Sequence, residues 1–374
     1  MKKIYKIRII KFLALLLPII LAVGLSQHFF FYFVDTNANR IRDFYLEEEN
    51  SLDVVFIGAS DVFTGYAPGY VYDRFGFTSY MYAIDANPSS LYKYQIKEIL
   101  KTQDPQLIFV EVNGFFEGDS EDEARLRQFT ENIPMSVNKI EAIWNHSYED
   151  KLSCLFPVIK YHGDWRNPAD LKYRMKLRLE EDKAPCLLKG VVTCTAVDEE
   201  DVWHQEMEPL DLEADQEAFL LDLLAFCEQE QLDNVLFVRF PHKPESEYYY
   251  EITAQANRVG EIVTEHGFSY LNLEEKCEEI GIDFKKDFYN SGHLNAYGQK
   301  KLSEYLGDCI VNKYQITPTV LSKSNREHWE LCAKYAEAYF TYAIQKIEEQ
   351  DTVWITEEKK YIMEILEYMV NQSA

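Results

Sequence analysis

The chain has 374 residues, of which 47% are apolar and 14% aromatic, enough for one α/β domain with appendages and too apolar for general disorder. Its 63 acidic and 38 basic residues leave a formal charge of -25. Such a surface keeps the chain soluble and argues against nucleic acid, and against anionic lipid headgroups, as partners of the soluble part. The seven cysteines (Cys154, Cys186, Cys194, Cys227, Cys277, Cys309 and Cys332) form no CxxC pair and no metal-spaced cluster, so neither a zinc site nor a disulfide framework is indicated. Cys186 and Cys194 are close enough for a local pairing; most of the set reads as small buried apolar residues.

Residues 1–34 read as a membrane anchor. Lys2, Lys3, Lys6, Arg8 and Lys11 precede an apolar run from Phe12 to Val34, about the 20 residues that span a hydrocarbon core. The basic flank places the N-terminus in the cytoplasm and everything after Asp35 outside it. A cleaved signal peptide with Phe12–Leu25 as its apolar region is the competing reading. No small-residue cleavage site precedes the aromatic stretch Phe29–Phe33, which suits a membrane interface.

Residues 35–50 form a polar connector. The α/β portion, 51–315, opens with LDVVFI (Leu52–Ile57), a short apolar run ending at Gly58 that predicts a buried parallel strand. Weaker strand character follows at Ser79–Ala83, then a helix over Ser89–Lys101 and a strand at Leu107–Val112. Residues 115–215 are acidic and irregular and read as an insertion of helices and loops. A helix at Ala218–Glu230 precedes a strand at Asn234–Phe240; a helix at Glu251–His266 precedes a strand at Tyr270–Leu273. Alternating strands and helices predict an α/β fold, a parallel sheet of about five strands with helices on both faces. Residues 316–374 change character to a helical extension, with helices at 326–349 and 356–371 docked on the core.

Reactive side chains in open parallel sheets sit beyond the carboxyl ends of the strands, and three such ends carry suggestive groups. GASDVFTG (58–65) follows the first strand and presents Ser60 at a helix start, where backbone N–H groups would stabilise an oxyanion; a serine there also serves as a helix cap. DFYNSGHLNAYG (287–298) holds His293 in a polar loop with Asn290 three positions earlier, a candidate base with an orienting neighbour. VEVNGF (111–116) places Asn113 after the third strand, where its amide can donate to an oxyanion.

The order GASDV, NPSS, EVNG, DFYNSGHLN resembles the SGNH/GDSL hydrolase superfamily, in which four blocks supply Ser, Gly, Asn and His. It looks most similar to the membrane-anchored bacterial branch that includes the teichoic-acid D-alanylation protein and polysaccharide O-acetyltransferases. The similarity runs through IPMSVNKIEAIW and FPVIKYHGDW and ends near Tyr314.

The resemblance implies a flavodoxin-like three-layer sandwich. It makes Ser60 the nucleophile and an oxyanion donor through its N–H, and His293 the base. Ala86 falls where the family usually has the Gly of the second block, which keeps a backbone donor but restricts φ. Asn113 is offset from a well-formed third block. Asn290 stands where the family's Asp precedes the His. A neutral amide can orient an imidazole but cannot stabilise its cation by charge, and Asp-to-Asn in a protease triad costs about 10⁴ in turnover. Either Asn290 orients His293, or Asp287 or Asp283 supplies a carboxylate, or the site is inactive. His162 and Asp164 in the YHGDW segment could also approach the site, but read first as core or loop-anchoring residues. The implied activity is attack on an acyl ester, such as acetyl, of an envelope polysaccharide or teichoic-acid-like polymer, without metal or organic cofactor. The acyl group passes to water or to a sugar hydroxyl, in the second case beside a multi-spanning membrane acyl donor. The alternative from another class is an inactive SGNH domain that binds glycan or scaffolds an envelope complex.

Overall fold

The computed structural model describes residues 2–33, 39–116, 123–181, 186–205, 208, 210–356, 361 and 363–367. The chain opens with one helix, Lys2–Phe29. Its segment Lys11–Phe29 is not buried by the rest of the chain and is long and apolar enough to cross a membrane.

A five-stranded parallel sheet follows. Its strands are β1 (Val54–Gly58), β2 (Ser79–Ala83), β3 (Leu107–Glu111), β5 (Val235–Arg239) and β6 (Ser269–Asn272), in the order β2-β1-β3-β5-β6. This is the α/β parallel sheet expected from the alternation of runs, with strand ends displaced by one or two residues. Leu52 and Asp53, for instance, precede β1 because the Asp53 carboxylate is tied to Thr78, whose N–H (2.9 Å) and hydroxyl (3.0 Å) both donate to it. β1, β2, β3 and β5 are buried along their whole length, the signature of strands covered on both faces. Side-chain alternation sends Val55, Ile57, Ile108 and Phe237 into one core and Val54, Phe56, Phe109 and Val238 into the other.

Between β3 and β5 lie short helices, including Val137–Asn145, Pro157–Tyr161 and Pro168–Glu181, and the two-residue strand β4 (Thr193–Cys194). A tight hairpin, β7 (Phe288–Asn290) with β8 (His293–Leu294), precedes the helix Ala296–Asp308. In the C-terminal extension, helix Lys323–Glu348 buries Trp329, Tyr335, Tyr339 and Phe340 and packs against helix Pro68–Phe75. Strand β9 (Trp354–Ile355) then pairs antiparallel with β4, stitching the extension to the insertion. Of the second expected helix, 356–371, residues 361 and 363–367 are helical; residues 357–360, 362 and 368–371 lie outside the described set. Cys186 and Cys194 are both free thiols, as are the other five cysteines, so the local pairing left open by the sequence is not made.

The end of β1 is closely packed. A Cβ built on Gly58 would collide with the Cβ of Glu111 on β3 and with Cγ2 of Val62. Gly58→Ala should therefore lower stability by about 1–3 kcal/mol, the usual cost of forcing an extra carbon into a packed core, read as a lowered urea midpoint. An unchanged midpoint would show that β1 and β3 separate more easily than this packing implies.

Candidate active site

Ser60 owes its position to the sharp exit from β1. Ala59 is extended, with φ -96° and ψ -153°, and Ser60 is the first residue of helix Ser60–Gly65. Its N–H belongs to the first turn, whose donors have no acceptor within the helix. The segment after β2 is fastened beneath this turn: Asn87 Nδ2 donates to the Gly58 carbonyl at 3.0 Å and to Gln95 Oε1 at 2.9 Å. Gly114 completes the contact, since a Cβ there would strike the Asn87 carbonyl and the Tyr92 hydroxyl. Ala86 has φ +40°, so it occupies the left-handed region that glycine takes more readily.

His293 reaches Ser60 from the far end of the sequence. In the β7–β8 hairpin Asn290 and His293 are cross-strand partners. This brings Asn290 Oδ1 within 2.8 Å of His293 Nδ1, while Nε2 lies 2.6 Å from Ser60 Oγ. With the proton on Nδ1, which the Asn290 carbonyl accepts, Nε2 is left free to accept from the serine hydroxyl. The Tyr289 ring stacks on the imidazole at 5.3 Å with 7° between planes, and Trp354 of β9 stands edge-on to Tyr289 at 5.1 Å.

Asp287 is not the orienting acid. Its buried Oδ2 accepts from Lys301 Nζ at 2.6 Å and from the Asp283 N–H at 2.7 Å, because the carboxylate faces the helix carrying Lys301. Asp283 turns its own carboxylate to the Lys285 N–H. His162 is exposed and bonds the Ile159 carbonyl, and Asp164 pairs with Arg174. Neither lines the cavity at Ser60.

Beneath the Ser60–His293 pair lies a buried polar cluster assembled from several strand ends. Asp61 follows the serine; its Oδ1 is 3.6 Å from His293 Nε2, and its Oδ2 is 3.2 Å from His242 Nε2 and accepts from the Asn113 amide. Asn113 Oδ1 accepts from Arg239, at the end of β5. Arg239 also pairs with Glu274 beyond β6 at 2.9 Å, and Glu274 lies 3.0 Å from His242 Nδ1. Glu111, the last residue of β3, accepts from the Asn113 N–H and, at 3.4 Å, from the Ala59 N–H. Sequence reasoning singled out Asn113 but missed Asp61, Glu111, Arg239, His242 and Glu274. In sequence each is one titratable residue in an otherwise ordinary segment, and only the parallel sheet brings them together.

These groups set one another's protonation. Burial opposes the Asp61 anion, but His242, His293 and Arg239 outweigh it and hold the carboxyl below its ordinary value. Burial, reinforced by Asp61, pushes Glu111 up to about 8. Burial and Arg239 disfavour the His242 cation, yet Asp61 and Glu274 prevail and raise it to about 9. At neutral pH His242 is therefore charged and its Nε2–H donates to Asp61. Burial, reinforced by His242, lowers His293, with Asp61 pulling the other way, which keeps the imidazole neutral and able to accept a proton. A cavity of about 260 Å³ opens over the pair, lined by Ser60, Asn113, Phe116, Tyr248, Tyr249 and His293 among others. Ala86 does not line it, so Ser60 and Asn113 are the expected oxyanion donors that do, and the side-chain amide of Asn113 is already engaged by Asp61.

The cluster should give stability a slope with pH. Glu111 takes up a proton in the folded state that the unfolded chain has lost between its ordinary 4.5 and about 8, so stability falls as pH rises through that window. His242 has the same sign: its contribution is complete below its ordinary 6.5 and is lost as pH rises through about 9. Glu111→Gln should flatten the decline between about pH 5 and 8 in urea unfolding; an unaltered slope would mean that Glu111 is ionised in the folded chain. No protein-family model matches the chain, and no curated protein matches it.

Proposed function

We propose that the chain is a membrane-anchored serine esterase or O-acyltransferase of the SGNH/GDSL type, working outside the cytoplasm. One observation carries this reading: Ser60 Oγ, both nitrogens of His293 and Asn290 Oδ1 lie in a single hydrogen-bonded line, at 2.6 and 2.8 Å. That is the arrangement of nucleophile, base and orienting acceptor used in acyl transfer. The strand order β2-β1-β3-β5-β6 adds support. It corresponds to the flavodoxin-like doubly wound order, in which ligands bind at the switch point between the first and third strands, and Ser60 follows β1.

In this mechanism Ser60 Oγ attacks the ester carbonyl carbon while its proton passes to His293 Nε2. The tetrahedral oxyanion faces the first-turn N–H of Ser60. Collapse expels the alcohol, which takes the proton from Nε2, and leaves an acyl group on Ser60. Water or a sugar hydroxyl then attacks and gives its proton to His293; the bond from the acyl carbon to Ser60 Oγ breaks as Oγ takes that proton from Nε2, releasing the acyl group as acid or as a new ester. Phe116, Tyr248 and Tyr249 give the cavity wall aromatic rings, which suit a sugar ring. The acyl ester of an envelope polysaccharide or teichoic-acid-like polymer, and a multi-spanning membrane acyltransferase as partner, follow from the family resemblance. Commitment of the Asn113 amide to Asp61 favours the second reading, an inactive domain that binds glycan.

A fluorophosphonate probe should label Ser60 in the purified chain, and Ser60→Ala should abolish turnover of a small aryl acetate with little change in thermal midpoint. Absence of labelling would favour the glycan-binding reading. Turnover should depend on neutral His293, rising with pH through a midpoint below 6.5, since that imidazole is held below its ordinary value. Asn290→Asp should move this limb to higher pH and raise turnover above it, by at most the ~10⁴-fold that the opposite change costs a protease. Asp287→Asn, which breaks a buried pair with Lys301, should lower stability but leave the turnover of the folded protein near native. If Asp287→Asn were the change that damaged turnover, Asn290 would lose its assigned role.

The basic residues before the apolar helix support a topology with 35–374 outside the cytoplasm. An alkaline-phosphatase reporter fused after Ala374 should therefore be active, and a cytoplasmic reporter at the same point silent. The reverse pattern would overturn the localisation.

A further inference from the structure

The chain's charge is strongly acidic, but residues 156–179 run against it. They contain six basic residues (Lys160, Arg166, Lys172, Arg174, Lys176 and Arg178) against two acids, Asp164 and Asp170. Both acids are turned to Arg174, at 3.2 and 2.8 Å. In helix Pro168–Glu181, Ala169, Lys172, Tyr173, Lys176 and Leu179 are exposed. This spacing gathers them on one side of the helix. Ile159 and Trp165 are exposed just before it, Trp165 at 62%.

This segment lies where the N-terminal helix meets the rest of the chain. Helix Lys2–Phe29 packs on Pro157–Tyr161 and on Pro168–Glu181. The chain beyond it is clamped there: the Tyr32 hydroxyl donates to the Arg174 carbonyl at 2.9 Å, Arg174 Nη1 donates back to the Tyr32 carbonyl at 2.5 Å, and the Arg178 guanidinium covers the Tyr32 ring at 4.0 Å. The Phe33 N–H donates to Glu131 at 2.6 Å. Helix Pro168–Glu181 is thus held beside the end of the apolar run by the side opposite its exposed residues.

We infer that residues 157–179 form a second membrane contact, lying on the bilayer surface beside the N-terminal span. Ile159, Trp165, Tyr173 and Leu179 enter the boundary between headgroups and acyl chains, and Lys172 and Lys176 meet anionic headgroups. A mixed Trp, Tyr, Leu and Lys face has the composition of an interfacial helix, and lysine stems can lie on apolar surface while their ammonium groups reach phosphate. The remainder of the chain, whose net charge is opposite, is repelled by the same headgroups, which favours this side facing the bilayer. Two attachments fix the orientation of the domain, as a single span would not. The inference rests on Lys2–Phe29 spanning the bilayer and is independent of the chemistry at Ser60.

The test uses the full chain in vesicles of phosphatidylcholine and phosphatidylglycerol with brominated acyl chains. Bromine should quench tryptophan emission in the native chain, and Trp165→Phe, a change at an exposed ring, should remove most of the quenchable component while leaving the thermal midpoint unchanged. Joint Lys172→Glu and Lys176→Glu substitution should reduce quenching in these vesicles; unchanged quenching would overturn the headgroup contact. A chain that resists carbonate extraction but shows no quenching at Trp165 overturns the inference while keeping the anchor, and assigns the face to a membrane-protein partner. A chain released by carbonate overturns the anchor itself, and the inference with it.

Discussion

The Asp61 carboxylate is the constraint around which the site is built. It is almost wholly buried, one residue after Ser60, at the point where β1 gives way to a helix. An isolated buried carboxylate is untenable, and breaking a buried ion pair costs about 3–5 kcal/mol. Asp61 therefore requires donors, and they come from separate strand ends: His242 from the turn after β5 and Asn113 from the turn after β3, with the Arg239 cation at the end of β5 adding favourable charge. Each then needs its own partner, which Glu274 supplies to both cations. With Glu111 protonated, two anions face two cations and the charge closes. The adjacent serine is fixed because its neighbour has little freedom to move.

This cluster explains why the fold was more legible than the site. Strands announce themselves locally, through runs such as LDVVFI and LIFVEV, because a strand covered on both faces must be apolar nearly throughout. Ser60, His293 and Asn290 were legible because each sits in a short polar motif at a strand end or in a hairpin. Asp61 and Glu111 were not. Read in sequence, they are single charges in otherwise ordinary segments, and only the parallel pairing of β1 with β3 brings Glu111 against the turn after Gly58. His242 in FPHKP had no neighbour in sequence to mark it, since Asp61 and Glu274 reach it from far along the chain.

The C-terminal extension was legible as helix but not as part of the site. Its apolar stripe predicted docking on the core, and Tyr335, Tyr339 and Phe340 are buried accordingly. That stripe carries no information about β9, a two-residue strand whose pairing with β4 puts Trp354 against Tyr289. Tyr289 in turn stacks on His293. The orientation of the His293 ring thus depends on a residue some sixty positions away, in a segment that looks like an appendage.

The same electrostatics account for a neutral amide at position 290. A carboxylate against Nδ1 would hold His293 as a cation more firmly, and a protonated imidazole cannot take the serine proton. Here a negative charge is already present on the Nε2 side, from Asp61, while burial and the His242 cation oppose it. Asn290 fixes the ring and its tautomer without adding to either side. The result is an imidazole held below its ordinary pKa, a weaker proton acceptor that stays neutral to lower pH than an ordinary histidine. It exchanges proton affinity for availability, and the cluster under Ser60 makes that exchange without a charged partner at Nδ1.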